Sequence, residues 1–155
     1  MKVERTLRVF IHGSRLEDGE MASGFTLQEE RNGAWEEVDS HMEKISTSSN
    51  HAAEILSLSR CFSLHEEIFS PSSLKKHHVN LSVISSNIQV LNQILGITGV
   101  YTPVLLDIVR DIQGRLDTPR ISVTPLVLGK SEPDAEALRV LALKSKSLMG
   151  GPSDV

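Results

Sequence analysis

The side chains of this 155-residue sequence that could do chemistry are few and scattered. Lys75, Lys76, His77 and His78 form the one basic cluster, which could contact phosphate but reads as a solvated loop. Asp107 and Asp111 stand four residues apart, so they would share a face if helical, and their expected role is on the solvent side of that helix. The pairs Glu29-Glu30 and Glu36-Glu37 read as solvated strand-edge charges. His12, His41, His51 and His65 do not read as a zinc site. No Gly-x-Ser-x-Gly elbow is present to expose a nucleophilic serine, and a serine- or cysteine-based triad is set aside. Cys61 is alone, cannot form an internal disulfide, and reads as a small buried residue. Trp35 reads as core or hairpin packing rather than a base-stacking platform.

Composition bounds what these groups can serve. Hydrophobic residues at 39% and charged residues at 23% are those of a globular domain, and with 4% aromatics the core must be built mainly from Leu, Ile and Val. The length suits one domain, expected over residues 1–149 with a loose tail at 150–155. A formal charge of −4 removes the overall electrostatic pull on which sequence-independent nucleic-acid binders rely, so any such binding needs a local patch. The apolar runs fall far short of membrane-spanning length, no signal peptide or repeat is evident, and an intracellular setting, cytoplasmic or nuclear, is expected.

The elements follow from periodicity. Leu7, Val9 and Ile11 alternate in a strand that ends at Gly13-Ser14. A second strand at Ala22–Glu29 turns through Asn32-Gly33, a strong two-residue hairpin signal, into a third at Ala34–Ile45. Ala52, Ile55, Leu56, Ser59 and Phe62 lie on one face of a helix running to about Glu67, followed by a loop at Pro71-Ser72-Ser73. Val79, Leu81 and Val83 mark a buried fourth strand, and a short helix from Ile88 is stopped by Gly96. Thr102-Pro103 starts a helix to Leu116. Ile121–Leu128 is a fifth strand, at an edge or a bulge because Pro125 has no N–H to donate. Ser131, Pro133 and Asp134 open a last helix with Leu138, Leu141, Ala142, Ser145 and Leu148 inward. A meander followed by alternating helices and strands predicts a mixed α/β sheet of five strands, three antiparallel and then two parallel, with helices on both faces.

This order, with four short stretches on it, resembles the ribonuclease H family over nearly the whole chain. His12-Gly13-Ser14 ends strand one where the family has Asp-Gly-Ser, and Ser23-Gly24-Phe25 is similar to its small-residue second strand. Asn50, Ala53 and Glu54 resemble its Asn-containing loop and the Ala-Glu of its first helix. Ser85-Ser86-Asn87 stands where the family has Asp-Ser, with Val90-Leu91-Asn92-Gln93-Ile94 similar to the helix beyond. Leu128-Gly129-Lys130-Ser131 and Leu138-Arg139-Val140-Leu141-Ala142 resemble its Gly-His loop and Ala-Asp-x-Leu-Ala helix. The absence of a long basic insertion between the helices at 88–95 and 103–116 is more similar to retroelement-derived and plant-type members than to bacterial ones.

The resemblance implies a reaction and, position by position, its loss. The family cuts the RNA strand of an RNA–DNA hybrid with two magnesium ions held by four carboxylates. At those positions this chain carries His12, Glu54, Ser86 and Arg139, so the local formal charge rises from about −4 to about 0 with neutral imidazole. Arg139 would repel a dication, imidazole suits softer metals, and a serine hydroxyl holds magnesium poorly by itself. Lys130 takes the place of the family's flexible histidine. Glu54 and Arg139 are expected to pair across the old metal site. Ser14, Asn50 and Asn87 resemble positions lining the hybrid-binding surface, although turn and cap chemistry would use the same residue types.

The expectation is therefore a catalytically inactive ribonuclease H-like domain, needing no metal, that binds nucleic acid or a protein. One rival is an active hybrid-specific ribonuclease using magnesium on displaced acids such as Asp18, Asp107, Asp111, Asp134 or Glu136. Another is a structural or regulatory subunit for a protein partner. No membrane role is expected.

Overall fold

The structure, a computed structural model, describes residues 3–46, 49–100, 103–129, 132 and 135–149, with side chains described up to residue 146. The tail at 150–155, Lys130, Ser131, Pro133 and Asp134 lie outside the described residues. Strands β1 (Val3–Arg15), β2 (Met21–Arg31) and β3 (Ala34–Ile45) form the meander. Helices α1 (Asn50–Leu64), α2 (Glu66–Phe69) and α3 (Pro71–Leu74) lead to β4 (His77–Ser85). Then follow α4 (Ile88–Ile94), α5 (Pro103–Leu116), β5 (Ile121–Val127) and α6 (Glu136–Met149). The sheet order is β3-β2-β1-β4-β5, antiparallel across β3, β2 and β1 and parallel across β1, β4 and β5. This is the expected mixed sheet.

Alternation along β1 divides the core. Leu7, Val9 and Ile11 face α1, α4 and α5 through Ile55, Leu58, Phe62, Val90, Ile94 and Ile112. Phe10 points the other way, against Leu138 and Leu141 of α6, with Ile84 beside it. Each such fully buried side chain contributes about 1.5–3 kcal/mol, so the helices are held chiefly by these faces rather than by propensity. Cys61 lies wholly inside the larger cluster, and burial pushes its thiol pKa up, as its reading as a packing residue requires.

Local chemistry explains the turns. Asn32 and Gly33 both have positive φ (56° and 81°), the backbone of a type I′ hairpin. Gly96 at φ 79° ends α4 as read from the sequence. Pro125 on β5 sits in register with Val83, and among the described residues β5 pairs with β4 alone, so it marks an edge and not a bulge.

Other expectations need correction. The first helix stops at Leu64 because His65 is non-helical (φ −127°, ψ 48°), and α2 restarts beyond it. Pro71-Ser72-Ser73 is helical: Ser70 accepts the Ser73 N–H at its cap and Pro71 sits at the first turn. Glu29 is buried, unlike Glu30, because it faces Arg5: Arg5 Nε and Nη2 donate to its two oxygens at 2.8 and 2.7 Å. His77 and His78 belong to β4 and divide between its faces. His77 is buried with Nε2 3.1 Å from the Ile68 carbonyl, and His78 Nε2 lies 2.9 Å from Ser122 Oγ. Trp35 keeps its reading as hairpin packing but not as core: next to the turn and 38% exposed on β3, it packs beneath the Arg8 guanidinium, 4.1 Å from the ring centroid.

Candidate functional site

The C-terminal ends of β1 and β4 are adjacent because the two strands run parallel in register up to Phe10 and Ile84. His12, two residues past Phe10, therefore emerges beside the end of β4, and it is buried (5% exposed). Its Nε2 is 3.2 Å from Ser14 Oγ. On the α6 side, His12 and Ser14 share a hollow of about 210 Å³ with Ala142, Ser145 and Lys146.

The opposite face of this end is closed by the first turn of α1. Ser49 caps that helix, its Oγ accepting the Ala52 N–H at 3.0 Å. Ser23 on β2 donates to the Ala53 carbonyl at 2.7 Å, fastening the helix to the sheet. Gly13 makes the approach possible: a Cβ there would stand 2.6 Å from the Asn50 carbonyl oxygen, 2.7 Å from Ala53 Cβ and 2.9 Å from the Glu54 nitrogen. Backbone thus lies against backbone, and Glu54 is carried into the interior at 5% exposure.

Inside, Ser85 Oγ donates to Glu54 Oε1 at 2.5 Å and accepts the Asn87 N–H at 2.9 Å. Asn87 in turn caps α4, its side chain accepting the Gln89 N–H at 2.9 Å. The short chain of bonds therefore joins the α1 carboxylate to the β4–α4 turn. Sequence reasoning singled out Ser86, which is exposed, and missed Ser85. The signal was available: Val79, Leu81, Val83 and Ser85 alternate along one face of β4.

Arg139 stands on α6, where Nη1 donates to the Glu132 carbonyl at 2.8 Å. The ion pairs given for the described residues do not include one between Glu54 and Arg139. The bond to Glu132 ties Arg139 to the chain entering its own helix. Ser14 is half-buried, Asn50 is exposed at the start of α1, and Asn87 has the capping role just described. Lys130 and Asp134 lie outside the described residues. Asp107 and Asp111 are both exposed on α5, with Arg115 Nε 3.4 Å from Asp111 Oδ2, and Asp18 pairs with Lys44. Glu136 is exposed on α6.

The sheet order, the meander and the α1 contact can now be set beside known structures. No family model matches the sequence, and no curated protein matches it. Solved structures do. LC11-RNase H1 in complex with RNA/DNA hybrid matches with a TM-score of 0.67 at 16% identity, over 93% of this chain and 99% of that one. The N-terminal RNase H domain of rv2228c from Mycobacterium tuberculosis matches with a TM-score of 0.64 at 14% identity, covering 88% and 95%. The PFV RNase H domain gives 0.58 at 12% identity, covering 96% and 95%. The fold is ribonuclease H-like.

Within a ribonuclease H-like fold, the donor set at this end does not fit a pair of magnesium ions. Magnesium takes hard oxygen ligands in octahedral geometry, and two dications close together require several carboxylates. His12 offers imidazole, Ser86 a neutral hydroxyl and Arg139 a cation, while Glu54 already receives the Ser85 hydroxyl. Among the described residues, no three His, Cys, Asp or Glu side chains gather as a metal-binding group. No described helix is long and apolar enough to cross a membrane.

Proposed function

We propose that this domain is a catalytically inactive ribonuclease H-like module that binds and does not cut. One observation carries the reading. The single carboxylate at the four positions that resemble the family's acids, Glu54, is buried and hydrogen-bonded to Ser85, while a histidine, a serine and an arginine stand at the other three. Ser14, Asn50 and Asn87 are the contacts we assign to a nucleic-acid backbone, with an RNA–DNA hybrid as the first substrate to try. The missing basic insertion supports a retroelement-derived origin.

A second reading, a protein partner, draws support from the net charge of −4 and from the exposed edge strand β3 with Glu36 and Glu37. Incubation with a hybrid labelled in its RNA strand, in magnesium and in manganese, tests the proposal. No cleavage is expected, and binding that weakens only shallowly with salt would match contacts made by neutral side chains. Cleavage abolished by Glu54→Gln would overturn the reading, and absence of both cleavage and binding would leave the protein partner as the better account.

A further inference from the structure

At the other end of the sheet lies a hollow of about 240 Å³ among α2, α3, the C-terminal end of α5 and the entry to β5. The eight steps from His77 to Ser85, at about 3.3 Å each, place it roughly 25 Å from Glu54. Its floor is apolar: Phe69 and Leu74 are almost wholly buried, and Pro71 lies beside them. Its rim is cationic, with Lys75, Arg115 and Arg120, in a protein whose net charge is −4.

The three cations are not equivalent. Arg115 is committed, with Nη1 2.6 Å from Glu66 Oε1 and Nε 3.4 Å from Asp111 Oδ2. Arg120 is half-buried, its guanidinium pinned by one bond, Nη1 donating to the Leu74 carbonyl at 3.0 Å, and no other bond from that guanidinium is given among the described residues. Lys75 has no ion-pair partner among the described residues. A positioned guanidinium and an ammonium thus flank the mouth of an apolar hollow. The C-terminal dipole of α5 opposes an anion here, but it amounts to about half a charge against two whole ones.

We propose that this hollow binds a small organic anion, its carboxylate or phosphate head between Lys75 and Arg120 and its short apolar body on Phe69, Pro71 and Leu74. The volume lies below the ~300 Å³ lower end of common ligand pockets, so the occupant is of fragment size. Charge-assisted bonds to the head fix orientation, and the floor supplies burial. The site is independent of the vacated end and of any nucleic acid there.

Gly114 gives one test, because a Cβ added to it meets nothing within 4 Å and it lies on the lining of this hollow, as well as of a second one beside Gly96 and Gln113. Gly114→Leu should fill the space and favour α5, since leucine is the better helix former. Benzoate and phenyl phosphate are titrated into the full chain and amide shifts are followed by NMR, with benzamide as the neutral control and inorganic phosphate as the head alone. Saturable shifts centred on Leu74, Gly114 and Arg120 by benzoate or phenyl phosphate are expected, the more effective of the two identifying the head. They should vanish in Gly114→Leu and weaken about tenfold in Lys75→Gln, both with wild-type circular dichroism. The proposal is overturned by no local shift up to about 10 mM, by undiminished binding in Gly114→Leu, by benzamide binding as well as benzoate, or by inorganic phosphate matching phenyl phosphate.

Discussion

Two glutamates sit in this interior at nearly the same depth, Glu29 at 6% exposure and Glu54 at 5%, and they are held in different ways. Glu29 is gripped by Arg5 through two bonds and by Arg31 Nη2 at 3.1 Å. Glu54 receives a serine hydroxyl. The first arrangement answers a buried charge with opposite charge and serves to join β1 to β2. The second makes a carboxylate a hydrogen-bond acceptor in a region where the resemblance places four acids and this chain keeps one. What differs is not burial but the kind of donor each is shown to receive, guanidinium at Glu29 and a serine hydroxyl at Glu54.

That contrast can be broken by substitution. The largest effect is expected where backbone meets backbone between β1 and α1: Gly13→Val should cost about 3 kcal/mol or more in urea unfolding, because Asn50, Ala53 and Glu54 leave no room for the side chain. Arg5→Met should cost about 2 kcal/mol, below the usual figure for a broken buried pair because Arg5 is a quarter exposed and Arg31 remains. Ser85→Ala should cost about 1 kcal/mol, as the Glu54 oxygen and the Asn87 N–H each lose one bond. Glu54→Gln, which keeps an acceptor for Ser85, should cost under ~1 kcal/mol. A penalty for Glu54→Gln equal to that for Arg5→Met would erase the distinction.

Acid sharpens the same comparison. The hydrogen bonds from Arg5, with Arg31 beside it, hold the Glu29 carboxyl below the ordinary glutamate range. A depressed folded-state pKa gives stability that is fully present above the unfolded value near ~4.3 and is lost as pH falls through the lower folded one. Stability measured from neutral pH down to about pH 2 should therefore fall over the acid limb, and that limb should be shallower in Glu29→Gln. An unchanged acid limb in the variant would show that Glu29 is not held in this way.

The sheet was readable from the sequence because its signals are local. Alternation at Leu7, Val9 and Ile11, the Asn32-Gly33 turn and the stop at Gly96 each depend on a few neighbouring residues. Glu29 was misread because nothing nearby in sequence announces Arg5, 24 residues away, and only strand pairing, with Glu29 opposite Leu7, brings the two side chains onto one face within reach. The break at His65 hid in a continuous apolar pattern, since periodicity does not report a single non-helical residue. At the site, a motif placed Ser86, whereas the alternation of β4 turns Ser85 inward. Opposite charges suggested a pair between Arg139 and Glu54, whereas the Arg139 bond that the structure gives, to the Glu132 carbonyl, is local to the entry of its own helix and has no signature in residue type.

Under the function proposed above, His12, Glu54, Ser86 and Arg139 do not form a divalent-cation site. Manganese titrated into the protein, with paramagnetic broadening followed at the amides of those four residues, tests it directly. The account predicts no saturable broadening centred on them at submillimolar manganese, and the same behaviour in Glu54→Gln. Tight, saturable broadening focused on that end of the sheet and abolished by Glu54→Gln would contradict it.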